Sequence, residues 1–234
     1  MTNEQKTPAE MTPAKMVIRM VIYIAIMGAI LFLCAGRVDW IVAWVWLVVH
    51  FIVVLTSATI VPIDPELVDE RTHVKEGVKK WDKIIVFPTQ ILMPFGFLVL
   101  AGLDMRYGWS SGLPLWLQIS AVIVGGLGYM LSVWASAVNR FYSRLVRIQK
   151  ERGHHVVSEG PYKYIRHPGY IGVIIFMLTT PLALNSMWTL TLGGALSLLL
   201  VIRTVLEDKT LQEELEGYTA YTQKVKYRLV PGLW

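Results

Sequence analysis

Two polar clusters interrupt an apolar chain, and their residue types can do chemistry together. The first runs from Gly160 to Gly172, Gly-Pro-Tyr-Lys-Tyr-Ile-Arg-His-Pro-Gly-Tyr-Ile-Gly. Pro168 suits the first turn of a helix and disfavours helical geometry at His167, so a helix should start here with His167 as its cap. The free N–H groups and positive dipole end of that helix, with Arg166 and the His167 side chain, suit a carboxylate or a phosphate. Gly169 and Gly172 let a ligand or a neighbouring helix approach closely. The second cluster is Arg203, Glu207 and Asp208. Arg203 and Glu207 are four residues apart and share a helix face. Acids there can hold a cation or sugar hydroxyls; alone, the trio also fits an interfacial pair whose charges reach for the membrane surface.

The elements that must position these clusters read as membrane helices. The chain has 234 residues, of which 54% are hydrophobic and 17% charged, with a mean hydropathy of +0.50. That is too apolar for an ordinary soluble domain. Apolar runs at 16–35, 40–61, 84–103, 115–138, 168–184 and 187–206 give about six transmembrane helices, since about 20 apolar residues span a bilayer. The fifth is short, so the last two form a tight hairpin around Asn185 and Ser186 that is a pair of spans or partly re-entrant. The predicted fold is therefore an all-α integral membrane protein.

With that count, every lysine and arginine except Arg37 and Arg106 falls on one side, which places both termini in the cytoplasm. Trp40, Trp109, Trp116 and Trp188 mark the outer boundary as an aromatic belt. Residues 1–15 read as a disordered tail, 16–138 as a four-span scaffold, and 139–234 as the region that binds and reacts. The lone Cys34 excludes an internal disulfide, and neither a metal site nor a nucleic-acid partner is expected.

The connecting segments carry further expectations. The stretch 62–83 balances acids against bases and reads as a solvated connector or a lid. Pro88 and Pro94 predict kinks in the third span. Between Asn139 and Arg152, Phe141, Leu145 and Ile148 recur at helical spacing among Arg140, Arg144, Arg147 and Lys150, which predicts a basic helix on the membrane surface. His50, in the middle of the second span, reads as a neutral imidazole bonded to a neighbouring helix.

The ordered set Gly160-Pro161-Tyr162, Arg166-His167-Pro168-Gly169-Tyr170-Ile171-Gly172, Arg203-x-x-x-Glu207-Asp208-x-x-Leu211 and Gly217-Tyr218-x-x-Tyr221 resembles the isoprenylcysteine carboxyl methyltransferase family, to which phospholipid N-methyltransferases are related. The likeness covers roughly Asn139 to Trp234. It implies a membrane-embedded enzyme that moves a methyl group from S-adenosylmethionine to a lipidic or hydrophobic acceptor, an isoprenylcysteine-type carboxylate or similar. It implies that His155, Val157, Tyr162, Arg166, His167, Pro168, Tyr170, Gly172, Glu207 and Asp208 surround the cofactor, with Arg203 near the acceptor and Arg203 and Glu207 as the catalytic pair. The family usually has two glutamates where this chain has Glu207-Asp208.

Two other readings stand beside it. A membrane NADPH-dependent reductase of the sterol-reductase type shares a His-Pro-x-Tyr stretch but usually has Asn where this chain has Gly169. A small transporter would use His50 and the kinked third span, although no internal repeat supports it. The acceptor and the oligomeric state are open at this stage.

Overall fold

The structure, a computed structural model, describes residues 13–61 and 65–234, whose regular structure is all helical with no strand. Most of the expected tail, residues 1–15, lies outside them; Pro13 to Lys15 already belong to the first helix. The order is α1 (Pro13–Ala35), α2 (Ile41–Ile60), α3 (Pro65–Thr72), α4 (Lys80–Ile91), α5 (Phe97–Tyr107), α6 (Leu115–Val138), α7 (Pro168–Ala183), α8 (Met187–Glu214) and α9 (Tyr218–Lys224). A wide π-type turn, Leu92–Gly96, joins α4 to α5 around Pro94 and makes one kinked rod from Lys80 to Tyr107.

Among the described residues, five helical rods are long and apolar enough to cross a membrane: α1, α2, α4 with α5, α6 and α8. The sixth expected span, α7, has only 16 residues, about 24 Å at ~1.5 Å per residue against a ~30 Å hydrocarbon core. Its place explains its length. Every residue of α7 is buried or half-buried, whereas α1, α2, α6 and α8 each expose large apolar side chains along an outer face. α7 is the core helix of the bundle, lined by protein rather than lipid, so it need not match the bilayer.

Close backbone approach holds that core. A Cβ on Gly172 would lie 2.4 Å from the Gly128 carbonyl oxygen and 2.8 Å from the Ser132 nitrogen, so α7 and α6 touch main chain to main chain. On the other side, a Cβ on Gly193 of α8 would lie 2.5 Å from the Met177 carbonyl oxygen. The α7–α8 turn is closed by Asn185 with φ of 55°, whose Oδ1 accepts from the Leu113 N–H at 2.6 Å. At the same end, buried Asp104 accepts from the Ser110 and Ser186 hydroxyls, tying α5 to the start of α8.

The structure also corrects three expectations, two of them at the opposite end. The segment 139–152 is not a surface helix. Asn139 Oδ1 accepts from the Phe141 N–H and turns the chain out of α6, and the backbone then runs open beneath the stretch before α4, with the Lys79 N–H donating to the Val146 carbonyl. Arginines that sequence spacing assigns to lipid headgroups instead bond protein. Arg147 forks onto buried Glu70, and Arg144 donates to the Arg71 carbonyl and to Gln90. Nor is the 65–83 part of the connector simply solvated, because Glu70 and Asp82 are buried. His50 differs too: it hydrogen-bonds no neighbouring helix.

Gly172→Ala is expected to force α6 and α7 apart against backbone that cannot yield. The expected loss is on the order of 1–3 kcal/mol of stability, read as a lower unfolding midpoint in detergent. An unchanged midpoint would show that the helices separate freely.

Candidate functional site

Where α7 begins, the loop 139–167, the end of α8 and α9 enclose a narrow cleft of about 90 Å³. Its walls mix aromatic rings with a few charges. Phe141, Tyr142, Tyr162, Tyr218 and Tyr221 supply rings, and Arg147, Arg166, Arg203 and Glu207 the charges, Arg147 being paired with Glu70. Burial pushes the Tyr142, Tyr162, Tyr218 and Tyr221 phenols up, so all four remain protonated donors near neutrality. Tyr221 donates to the Tyr162 carbonyl at 2.7 Å, and Asn139 donates to the Tyr162 hydroxyl at 3.3 Å, which fixes the aromatic wall.

The floor of the cleft rests on an ion pair. Arg203 of α8 donates from Nε to Asp82 Oδ1 at 2.7 Å and from Nη2 to Asp82 Oδ2 at 3.2 Å. Nη2 also donates to the Arg144 carbonyl at 2.8 Å, and the guanidinium stacks on Tyr170 at 5.1 Å. Asp82 is 0% exposed and accepts a further bond from the Val146 N–H at 2.7 Å. One carboxylate therefore joins α4, α8 and the cleft-lining loop.

Asp208, also 0% exposed, is a second hub. It accepts from Arg228 Nε at 2.9 Å, the Tyr218 hydroxyl at 3.0 Å and Gln212 Nε2 at 2.9 Å, and it lies 3.3 Å from His167 Nε2. Arg166 Nε is 3.2 Å from Asp208 Oδ1 yet is not aligned for a hydrogen bond, so that contact is one of charge alone. The chain end locks this corner. The Arg166 and His167 N–H groups donate to the Tyr227 and Arg228 carbonyls at 3.0 and 2.9 Å. Glu207, one residue earlier, is half-buried in the cleft wall and accepts a short hydrogen bond from the Tyr170 hydroxyl.

The residues singled out in the sequence thus separate by position. His155, Val157, Tyr162, Arg166, His167, Tyr170, Arg203 and Glu207 line the cleft. Pro168, Gly172 and Asp208 do not: Pro168 is packed at the start of α7, Gly172 lies against α6, and Asp208 holds the loops together. Residues not marked beforehand also build the site, above all Asp82, Tyr142 and Asn139. The available signal for Asp82 was an acid within the first turn of an apolar helix.

A second space adjoins the cleft. A recess of about 210 Å³ between α4, α7 and α8 is lined by Val86, Met93, Val173, Met177, Leu196 and Leu200. Tyr142, Ser143, Tyr170 and Arg203 belong to both walls. A polar cleft on the loop side and an apolar recess on the membrane side therefore meet across Tyr170 and Arg203.

A helical membrane bundle with a polar cleft at the start of its core helix fits an enzyme that works at a membrane surface. Residues 119–213 match the model of the isoprenylcysteine carboxyl methyltransferase (ICMT) family, which bears out the resemblance in the motifs and supports a membrane methyltransferase. The match spans α6 to the end of α8 and omits Asp82, Tyr218, Tyr221 and Arg228. The chain is also 28% identical over 172 residues to the uncharacterized protein YpbQ of Bacillus subtilis (strain 168), covering 72% of this chain and 96% of that one.

Asp82→Ala would leave Arg203 buried without its counterion and the Val146 N–H without an acceptor. A loss of about 3–5 kcal/mol is expected, read by denaturant titration; a change below 1 kcal/mol would mean that Arg203 finds other partners. His154, whose Nδ1 accepts from the Gln149 N–H at 3.2 Å, is lowered from 6.5 to about 4 by burial, with His155, Arg152 and Arg147 adding repulsion. Between those values the unfolded chain binds a proton that the folded chain refuses, so His154's contribution is complete above about 6.5 and declines as pH falls toward about 4. Thermal midpoints from pH 7.5 to 4.5 should fall less in His154→Gln than in the parent.

Proposed function

We propose that this chain is an integral membrane methyltransferase that uses S-adenosylmethionine and methylates a lipidic or hydrophobic acceptor, an isoprenylcysteine-type carboxylate or similar. Its cleft and both termini face the cytoplasm, in the cytoplasmic membrane. The observation that carries the reading is the charge left over in the cleft. Arg203 is matched by Asp82, and Arg228 by Asp208. Glu207 remains as an anion bonded to a neutral phenol, and Arg166 shares Asp208 with Arg228 by charge alone at 3.2 Å, its buried Nε without a hydrogen-bond partner among the described residues.

One positive and one negative group in one aromatic-walled cleft suit the zwitterionic amino-acid end of S-adenosylmethionine. Arg166 and the start of α7 would take the carboxylate and Glu207 the ammonium. Tyr162, Tyr170, His155, His167 and Val157 would complete the walls, while Pro168, Gly172 and Asp208 would hold that wall in shape from behind. When bound, S-adenosylmethionine supplies a methyl carbon on a sulfonium, open to in-line displacement.

The chain's own contribution is alignment and exclusion of water, worth on the order of 7 kcal/mol or more where contact is well oriented. Tyr170 and Arg203 stand at the border where an acceptor in the recess meets a cofactor in the cleft. Because Nε and Nη2 of Arg203 are committed to Asp82 and the Arg144 carbonyl, a two-pronged grip on an acceptor carboxylate is replaced by single contacts from Nη1. A carboxylate acceptor needs no base. A protic acceptor would give its proton to Glu207, directly or through Tyr170, since Glu207 is the carboxylate among the described cleft-lining residues.

Calorimetry on the detergent-purified chain should show S-adenosylmethionine binding, and Glu207→Gln and Arg166→Met should each weaken it roughly tenfold or more. A folded parent that gives no heat overturns the proposal. Thermal stabilisation by NADPH instead of S-adenosylmethionine would transfer it to the reductase reading.

A further inference from the structure

Beyond the recess the bundle holds another cavity. It measures about 450 Å³ and shares Gln90, Met93 and Arg144 with the recess, so cleft, recess and inner cavity form one series of spaces. The hydrogen-bonded Arg144–Gln90 pair stands at the junction. The inner walls are apolar and aromatic, from Met27, Trp46, Pro94, Phe97, Tyr129 and Phe176.

Besides Gln90, Arg144 and the phenols of Tyr23 and Tyr129, two buried polar groups belong to that lining. His50 is 6% exposed and Thr180 2%, and among the described residues neither imidazole nitrogen nor the threonine hydroxyl has a hydrogen-bond partner. Rings pack around the imidazole: Trp46 stacked at 5.2 Å, Phe176 at 5.6 Å and Tyr129 edge-on at 5.8 Å. An imidazole and a hydroxyl buried together in hydrocarbon with nothing to bond are costly to maintain. Packing alone would be served by a phenylalanine and a valine. Both residues line this cavity, which meets the recess at Gln90, Met93 and Arg144, and they also line a void of about 10 Å³ beside α6.

We infer that His50 and Thr180 recognise the far end of the acceptor, an otherwise apolar, membrane-dissolved molecule that carries a hydroxyl or carbonyl group remote from its reactive end. This deepens the methyltransferase reading and rests on it for the word acceptor. Ordinary lipids keep their polar groups at the interface, whereas His50 sits near the middle of α2. The ligand therefore has polar groups at both ends and apolar matter between. A plain hydrocarbon tail would fill the cavity and leave the imidazole and the hydroxyl unpaired, so such acceptors are disfavoured.

The test is photolabelling of the purified full chain in phosphatidylcholine nanodiscs. The probe is a long-chain ω-hydroxy fatty acid with a mid-chain diazirine, set against the same acid ending in a methyl group. Crosslinks to α2 around Trp46 and to α7 around Phe176 are expected to be roughly tenfold more abundant with the hydroxyl probe. His50→Gln, which keeps a donor and an acceptor, should retain that preference, and His50→Phe should abolish it. If His50→Phe does not fold, Thr180→Val is read in its place, with a reduced preference expected.

Equal labelling by the two probes, or a preference that survives His50→Phe, overturns the inference. Displacement of the hydroxyl probe by added dioleoyl phosphatidylcholine also overturns it, because the occupant would then be bulk lipid. S-adenosylmethionine binding is measured on the same sample. Lost preference with intact cofactor binding removes the inner recognition site alone, and preference without cofactor binding removes the methyltransferase reading alone.

Discussion

The buried contact between Asp82 and Arg203 is the constraint on which the site depends. Taking two charges out of water is expensive, and such a pair persists only when its geometry is good and its remaining atoms find partners. Here the fork is nearly ideal, and the two surplus bonds go to main chain, to Val146 N–H and the Arg144 carbonyl. The consequence is architectural. The segment after α6 has no α-helix of its own to hold it, and these two bonds, with that from the Lys79 N–H to the Val146 carbonyl and the Arg147–Glu70 fork, seat it across the mouth of the cleft. Tyr142 is thereby pressed so close to Gly169 that a Cβ there would lie 2.7 Å from the phenol oxygen.

Adjacent acids on α8 have unlike environments because successive helix residues point ~100° apart. Glu207 looks into the cleft and Asp208 into the contact between α9 and the chain end. That division accounts for the shorter second acid. Asp208 is ringed by Arg228, Tyr218, Gln212 and His167 at distances of 2.9 to 3.3 Å, and a longer carboxylate at the same place would need those four partners to retreat. The residue open to a small molecule keeps the longer arm.

Much of this was legible in the sequence because it is local. The proline-started α7, the polar turn at Asn185, the kink near Pro94 and the shared face of Arg203 and Glu207 follow from spacing alone. What could not be read is pairing across the chain. Asp82 and Arg203 are 121 positions apart, and Glu70 and Arg147 are 77 apart. Counting acids against bases in the connector treated both acids as solvent-facing, and their burial depends on arginines supplied from elsewhere. The same omission turned the arginines of 139–152 into a surface helix: helical spacing was present, but Glu70, Arg71 and Asp82 offered the backbone and side chains better partners than a membrane surface. His50 was misjudged in the other direction, since an apolar neighbourhood of rings gives no sign in sequence of the space left beside them.

The family-matched segment and the rest of the chain divide the work along a physical boundary. Residues 119–213 contain Tyr142, Tyr170, Arg203 and Glu207, the groups at the meeting of cleft and recess. The walls that lead away from that meeting point come largely from outside it: Tyr23 and Met27 of α1, Trp46 and His50 of α2, Gln90 and Met93 of the kinked rod. In the proposed reaction one partner arrives from water and the other from the bilayer, and only the border between them has to be shaped for methyl transfer. The acceptor-facing walls are free to follow the shape and polarity of a particular molecule. A sequence can therefore keep the reacting border of its family while changing what it methylates, and the side chains that would record such a change lie in α1, α2 and α4, with Thr180 of the core helix facing them.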